Sequence, residues 1–311
     1  MTKALSFDSA RPPAWKALWL SIALILLPGP AAAETLMLIQ GFLANGEGWR
    51  DSGVTHILAQ AGWQDAGDLS LAQGKVHSDQ PSTPALRRFY TMELPTYAPL
   101  MVQAQTLDRY IHFVRAQHPY STLILAGHSA GGVLARLYMV QHKAQAFAAL
   151  ITIASPHLGT PIANLGLAAG EQVLSWTRAF IGKGALDFSW GLFRDLEVER
   201  PHNLLGWLNH QPHPSAIYTS IVHETHAPYI RSLSDWLIPA WSQDMNHVYA
   251  LHGQVNTVVV SADHGLCAAD GRLLVRILKR LRHVQATFQS APGGGDNVVA
   301  GHAINIGAAE H

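Results

Sequence analysis

A single cysteine, Cys267, stands in a chain of 311 residues, so no intramolecular disulfide can form and stability has to come from a packed core. Charge is scarce as well. Asp, Glu, Lys and Arg make up 14% of the chain, and 21 basic residues balance 21 acidic ones. A formal net charge of zero gives no electrostatic footing for a polyanion, which argues against a nucleic-acid-binding protein. The 18 histidines are scattered. None falls into a His-x-x-x-His or Cys/His cluster at ligand spacing, so no metal site and no cofactor is expected. Long apolar runs are missing beyond the first thirty residues, and a membrane-spanning helix needs about 20 apolar residues. What is present is material for a large core: 48% hydrophobic residues, with 9 Trp, 9 Phe and 8 Tyr, a composition that suits neither a disordered nor a fibrous chain.

The N-terminus carries Lys3, Arg11 and Lys16, then the uncharged run Ala17 to Leu27, then Pro28-Gly29-Pro30 and Ala31-Ala32-Ala33. A basic segment, a short apolar segment and an Ala-x-Ala site in this order read as a cleavable export signal over residues 1–33. A soluble secreted or periplasmic protein is expected after cleavage, with one domain over 34–289 and a loose, glycine-rich tail over 290–311.

Within that domain, short apolar runs alternate with amphipathic stretches. Thr35 to Gln40, Arg88 to Leu94, Thr122 to Ala126, Phe147 to Ala154, Ala216 to His223 and Thr257 to Ser261 read as strands buried on both faces. Between them Val54, Ile57, Leu58 and Ala61, then Leu107, Tyr110, Ile111 and Val114, then Val133, Leu134, Leu137 and Val140 recur at helical spacing. The pattern predicts an α/β fold with a mostly parallel sheet and helices on both faces. It breaks at about 161–214, where Trp176, Phe180, Phe188, Trp190, Phe193 and Trp207 lie among polar residues and glycines. This stretch reads as a helical cap inserted between two strands. The final helix, through Leu273, Ile277 and Leu281, carries Arg272, Arg276, Lys279, Arg280 and Arg282. Those cations suit either solvent or transient contact with an anionic lipid surface.

One motif carries chemistry. Gly127-His128-Ser129-Ala130-Gly131 places Gly-x-Ser-x-Gly between a predicted strand and a predicted helix. A turn that sharp lifts a serine hydroxyl out of the sheet at a helix N-terminus, and only small residues two before and two after it avoid collision.

With this motif the chain resembles the α/β-hydrolase superfamily, and within it the bacterial lipases, esterases and deacylase-like lipases. Three further segments carry the likeness. Leu38-Ile-Gln40-Gly41-Phe42 is similar to the oxyanion loop of that family, with Gln40 where His is usual. Thr152 to Pro161 resembles the lipase segment that follows the next strand, and Ser234 to Ser242 resembles the one carrying the acidic residue. The resemblance implies an α/β-hydrolase fold and a triad supplied in the order Ser, acid, His. Ser129 would be the nucleophile and His264, in the loop after the last strand, the base, with His247 and His252 ranked behind it. Asp235 would be the acid, with Glu224 the alternative because it directly follows the preceding strand; Asp263 adjoins the base and would point elsewhere. His128 sits inside the turn and is not given the base role. Backbone N–H groups of Phe42 and Ala130 would form the oxyanion hole.

The implied activity is hydrolysis of carboxylic esters, acylglycerol-type lipid esters among them, through an acyl-enzyme. The expected partners are an ester or lipid substrate and a transient lipid interface. An acyltransferase would need the same triad, and a non-catalytic binding protein could keep the scaffold.

Overall fold

The computed structural model describes residues 33–82, 84–163, 183–224 and 238–290, with side chains placed for all of these except 183–188 and 286–290. Residues 1–32 of the expected export signal, residues 164–182 of the expected cap, and the tail from 291 onward lie outside the described residues.

Eight strands form one sheet: β1 (Glu34–Ile39), β2 (Gln64–Ala72), β3 (Lys75–Ser78), β4 (Arg87–Met92), β5 (Thr122–His128), β6 (Ala149–Ile153), β7 (Ile217–Glu224) and β8 (Val255–Ser261). Their order is β3-β2-β4-β1-β5-β6-β7-β8. All pair in parallel except β2 with β3. β1 occupies the middle, and every one of its residues is buried, which is why Leu36 to Ile39 run apolar without alternation.

The hairpin of β2 and β3 is absent from the reading of the sequence. β3 lies at the sheet's edge, neither strand carries an apolar run, and the hairpin's signal is confined to the two-residue loop Gln73-Gly74, where φ is 51° and 76°. Positive φ at both central positions is the hairpin turn that follows the sheet's right-handed twist.

Helices cover both faces. On one lie α3 (Leu100–Gln117) and α4 (Ala130–Gln141), whose buried Leu107, Tyr110, Ile111, Leu134 and Leu137 meet Met37, Ile39 and Leu125 of the sheet. On the other lie α1 (Glu47–Asp51), α2 (Val54–Gln60) and α8 (Ala268–Ser290), with Trp49, Leu58, Leu274 and Leu278 packed on Leu36, Leu38 and Ile124. The first helices and the last pack against each other, so closely that a Cβ on Gly271 would lie 3.1 Å from Val54 Cα. Arg272, Arg276, Lys279 and Arg280 take the exposed positions of α8. Between β6 and β7 come α5 (Lys183–Asp195) and α6 (Leu204–Asn209), and between β7 and β8 the short α7 (Ala240–Gln243).

Candidate active site

β5 ends at His128 and α4 begins at Ala130, leaving Ser129 alone to turn the chain, with φ 54° and ψ −131°. A β-carbon makes that conformation unfavourable by roughly 1–3 kcal/mol, a cost the surroundings must sustain. The neighbours explain how. A Cβ on Gly127 would lie 2.5 Å from Gly132 Cα, and one on Gly131 would lie 2.4 Å from the Gln40 carbonyl. The Ser129 amide is tied to Ile153 O at 2.9 Å.

The loop after β8 brings His264 across the strand ends, with Nε2 at 3.0 Å from Ser129 Oγ. Ser129 is 8% exposed. Burial, then the neighbouring imidazoles of His128 and His223, hold His264 down to about 3, so the ring is neutral at physiological pH and Nε2 is free to accept a proton. His128 does not face the hydroxyl. Its Nε2–H donates to the His264 carbonyl at 2.8 Å, and burial brings its own value down to about 4. His247 and His252 lie elsewhere, with Nδ1 on the carbonyls of Trp241 and Asn246 at 2.7 and 2.9 Å.

Asp235 lies in the stretch 225–237, outside the described residues. Glu224 is the last residue of β7, half-buried and in register with Ser261 of β8. Asp263 is exposed, while its carbonyl accepts a bond from His223 Nδ1 at 2.6 Å.

Phe42 and Ala130 flank Ser129 in the wall of a cavity of about 160 Å³. Gln40 is buried beneath that loop, and its Nε2 donates to Met92 O at 2.6 Å. The amide therefore anchors the loop of Gly41 and Phe42 to the end of β4. Pro156, Thr160, Leu192, Phe193 and Ile238 complete most of the cavity wall. Leu192 and Phe193 come from α5, which is fastened to the start of α3 by Asp195 Oδ2, accepting the Leu100 amide at 2.7 Å. Phe193 stacks edge-on against Phe42, with ring centroids 5.3 Å apart. Pro156 and Thr160 belong to the lipase-like stretch 152–161, a buried turn held by Ser242, whose Oγ donates to Gly159 O at 2.5 Å. Gly159 has φ 87°, and a Cβ there would lie 2.3 Å from Glu197 O, so the turn needs glycine.

Two polar side chains of this region carry no mark in the sequence: His223, at the end of β7, and Asp270, in the first turn of α8. Their rings and carboxyl meet across 47 residues, His223 Nε2 to Asp270 Oδ1 at 2.8 Å. A carboxylate in the first turn of a helix is a common capping choice, and only the three-dimensional path of the chain brings it to a histidine.

A sharp strand–serine–helix turn after β5, with a histidine after β8 at hydrogen-bond distance, on an eight-stranded, mostly parallel sheet, fits one fold. This chain has the α/β-hydrolase fold. The family of PGAP1-like alpha/beta domains matches residues 96–169 of this hydrolase-fold chain, the stretch that holds Ser129. Among solved structures it is similar to lipase BlEst2 of Bacillus licheniformis in mature form, at 13% identity over 83% of this chain and 94% of that one, with a TM-score of 0.53. It is also similar to Est1E of Butyrivibrio proteoclasticus, solved with ferulic acid bound, at 12% identity over 84% and 93% of the two chains, with a TM-score of 0.51. No curated protein matches the chain. At these identities the likeness is one of fold, and the α/β-hydrolase scaffold itself fixes no substrate.

Proposed function

We propose that this α/β-hydrolase cleaves carboxylic esters by nucleophilic catalysis at Ser129. The observation that carries the reading is the 3.0 Å contact between Ser129 Oγ and a neutral His264 Nε2, at the mouth of a cavity walled by apolar side chains. A serine hydroxyl is inert until a base takes its proton, and His264 stands where that proton leaves. In acylation Oγ attacks the ester carbonyl as its proton passes to Nε2, and the oxyanion forms beside the amides of Phe42 and Ala130 at the positive end of α4. His264 returns the proton to the departing alcohol, and water reverses the sequence to release the acid. Asp235 is assigned as the carboxylate that stabilises the charged imidazole, with Glu224 as the alternative.

The cavity supports the acyl side of the specificity. A cavity of about 160 Å³ with a mostly apolar wall suits a short acyl chain. Short and medium acyl esters, glycerolipid-type esters among them, are the proposed substrates. The N-terminal pattern supports action outside the cytoplasm.

Hydrolysis of p-nitrophenyl esters from acetate to palmitate, by the chain from Glu34 onward, tests this. Ser129→Ala should abolish turnover with folding intact, and Asp235→Asn should reduce it far more than Glu224→Gln. Full activity in Ser129→Ala would overturn the assignment.

A further inference from the structure

The loop that carries His264 is pinned at three points. His223 Nδ1 holds the Asp263 carbonyl at 2.6 Å, His128 Nε2 holds the His264 carbonyl at 2.8 Å, and Asp270 Oδ2 accepts the Cys267 amide at 2.9 Å. The first and third of these belong to one unit, because the other ring nitrogen of His223 meets the other oxygen of Asp270 at 2.8 Å. Both side chains are 1% exposed.

The protons on this unit can be counted. A backbone carbonyl only accepts, so Nδ1 of His223 carries a hydrogen. Burial pushes the Asp270 carboxyl up, but the bond and charge of His223 and the Cys267 amide pull it down further, below the ordinary carboxylate range. An ionised carboxylate also only accepts, so Nε2 carries a hydrogen too. The ring is then an imidazolium, and its charge is matched within the pair.

Each partner is fixed from behind. Gln243 clamps the His223 backbone from both sides, its Oε1 accepting the His223 amide at 2.7 Å and its Nε2 donating to the His223 carbonyl at 3.0 Å. Asp270 is held by the first turn of α8, which packs on α2. The pair thus connects two rigid elements, the end of β7 and the start of α8, and the loop with the base hangs between them.

We propose that His223 and Asp270 form a buried imidazolium–carboxylate pair that positions the general base, setting the reach of His264 Nε2 to Ser129 Oγ through the Asp263 carbonyl and the Cys267 amide. This rests on the ester-hydrolase reading of Ser129 and His264. The pair touches no substrate and takes no proton during turnover; both are positioning residues. A misplacement of about 1 Å at a reacting group costs on the order of a hundredfold in rate, and the loss falls on kcat because the acyl cavity is untouched.

The experiment has one arm that needs no activity. In chain labelled with 15N-histidine, the His223 ring, assigned by its loss in His223→Gln, should show both nitrogens protonated at pH 7. A neutral ring there would overturn the pair. In the second arm, Asp270→Ala should lower kcat by about ten- to a hundredfold with KM within about twofold. Asp270→Asn keeps an acceptor and a shape, and should recover most of that loss. Asp270→Ser takes the place of Asp270→Ala if that variant does not fold, and kcat preserved in whichever of the two folds would overturn the positioning role. If wild type shows no Ser129-dependent esterase activity, the hydrolase reading falls, and the ring nitrogens alone decide whether the ion pair exists.

Discussion

Adding one methyl group at Gly41 should disable the nucleophile while leaving the fold largely standing. A Cβ at that position would lie 2.7 Å from Ser129 Cβ, 3.0 Å from the His128 carbonyl and 3.2 Å from Ser129 Oγ. Carbon atoms rest at about 3.5–4.0 Å, so the closest contact falls short by roughly 0.8 Å or more. Neither side can give way freely. Ser129 is held by its bond to Ile153 O and by glycines that already touch their neighbours, and the Gly41 loop is anchored through Gln40 to Met92 O. Overpacking of this kind costs about 1–3 kcal/mol of stability. A forced shift of about 1 Å at the reacting oxygen, or at the amides beside it, lowers the rate by on the order of a hundredfold. The assay is kcat for p-nitrophenyl butyrate, with the rate of fluorophosphonate labelling of Ser129 and a thermal melt alongside. Gly48→Ala is the control, since its Cβ would meet nothing nearer than Ala44 at 3.9 Å, and it should leave activity unchanged. Wild-type turnover and labelling in a folded Gly41→Ala protein would refute the steric argument, and with it the placement of the oxyanion loop.

Other outcomes follow from the same geometry. Chain-length profiles should peak near butyrate to hexanoate, and Leu192→Trp, which fills the cavity, should shift the peak toward acetate; an unshifted peak would remove Leu192 from the acyl site. Gln40→Ala should lower kcat by about tenfold by freeing the oxyanion loop, with Gln40→His recovering part of it, and unchanged kcat in Gln40→Ala would show that the loop needs no such anchor. Stability should respond to His128. Its folded value of about 4 lies below the ordinary 6.5, so between these values the unfolded chain binds a proton that the native one does not, and stability falls as pH drops through that window. The full shift corresponds to about 3 kcal/mol. His128→Gln should therefore lose about that much less than wild type between pH 7 and pH 4 in urea unfolding, and equal losses would refute the assignment.

Much of the fold was legible because its strands are buried on both faces. Leu36, Leu38, Ile124 and Ile151 stand in unbroken apolar runs, and the helices between them repeat Leu, Ile and Val at 3.6-residue spacing. Ser129 was legible because its turn requires glycine at 127 and 131, a constraint written within five residues. The edge hairpin left no such trace: Gln64 to Ser78 is half polar, and pairing at a sheet edge is decided by the neighbour strand rather than by burial. His264 could be ranked by position alone. His223 and Asp270 could not be found that way, because a buried ion pair joining the end of a strand to the start of a helix has no local period, and each residue alone looks like an ordinary strand end and an ordinary helix cap. Gln40 was visible as a departure from a pattern, but its bond to Met92 O depends on where β4 ends.

The packing of α8 across α2 has a consequence for how the molecule is made. Leu273, Leu274, Ile277, Leu278 and Leu281 seal the same face of the sheet as Val54, Leu58 and Trp63, so that face stays open until α8 has emerged. The central strand is the first of the described strands in sequence, and it waits for β4 and β5 to arrive on either side. Contacts this distant along the chain form late and slowly. A polypeptide built this way cannot close that face of its sheet until α8 has docked.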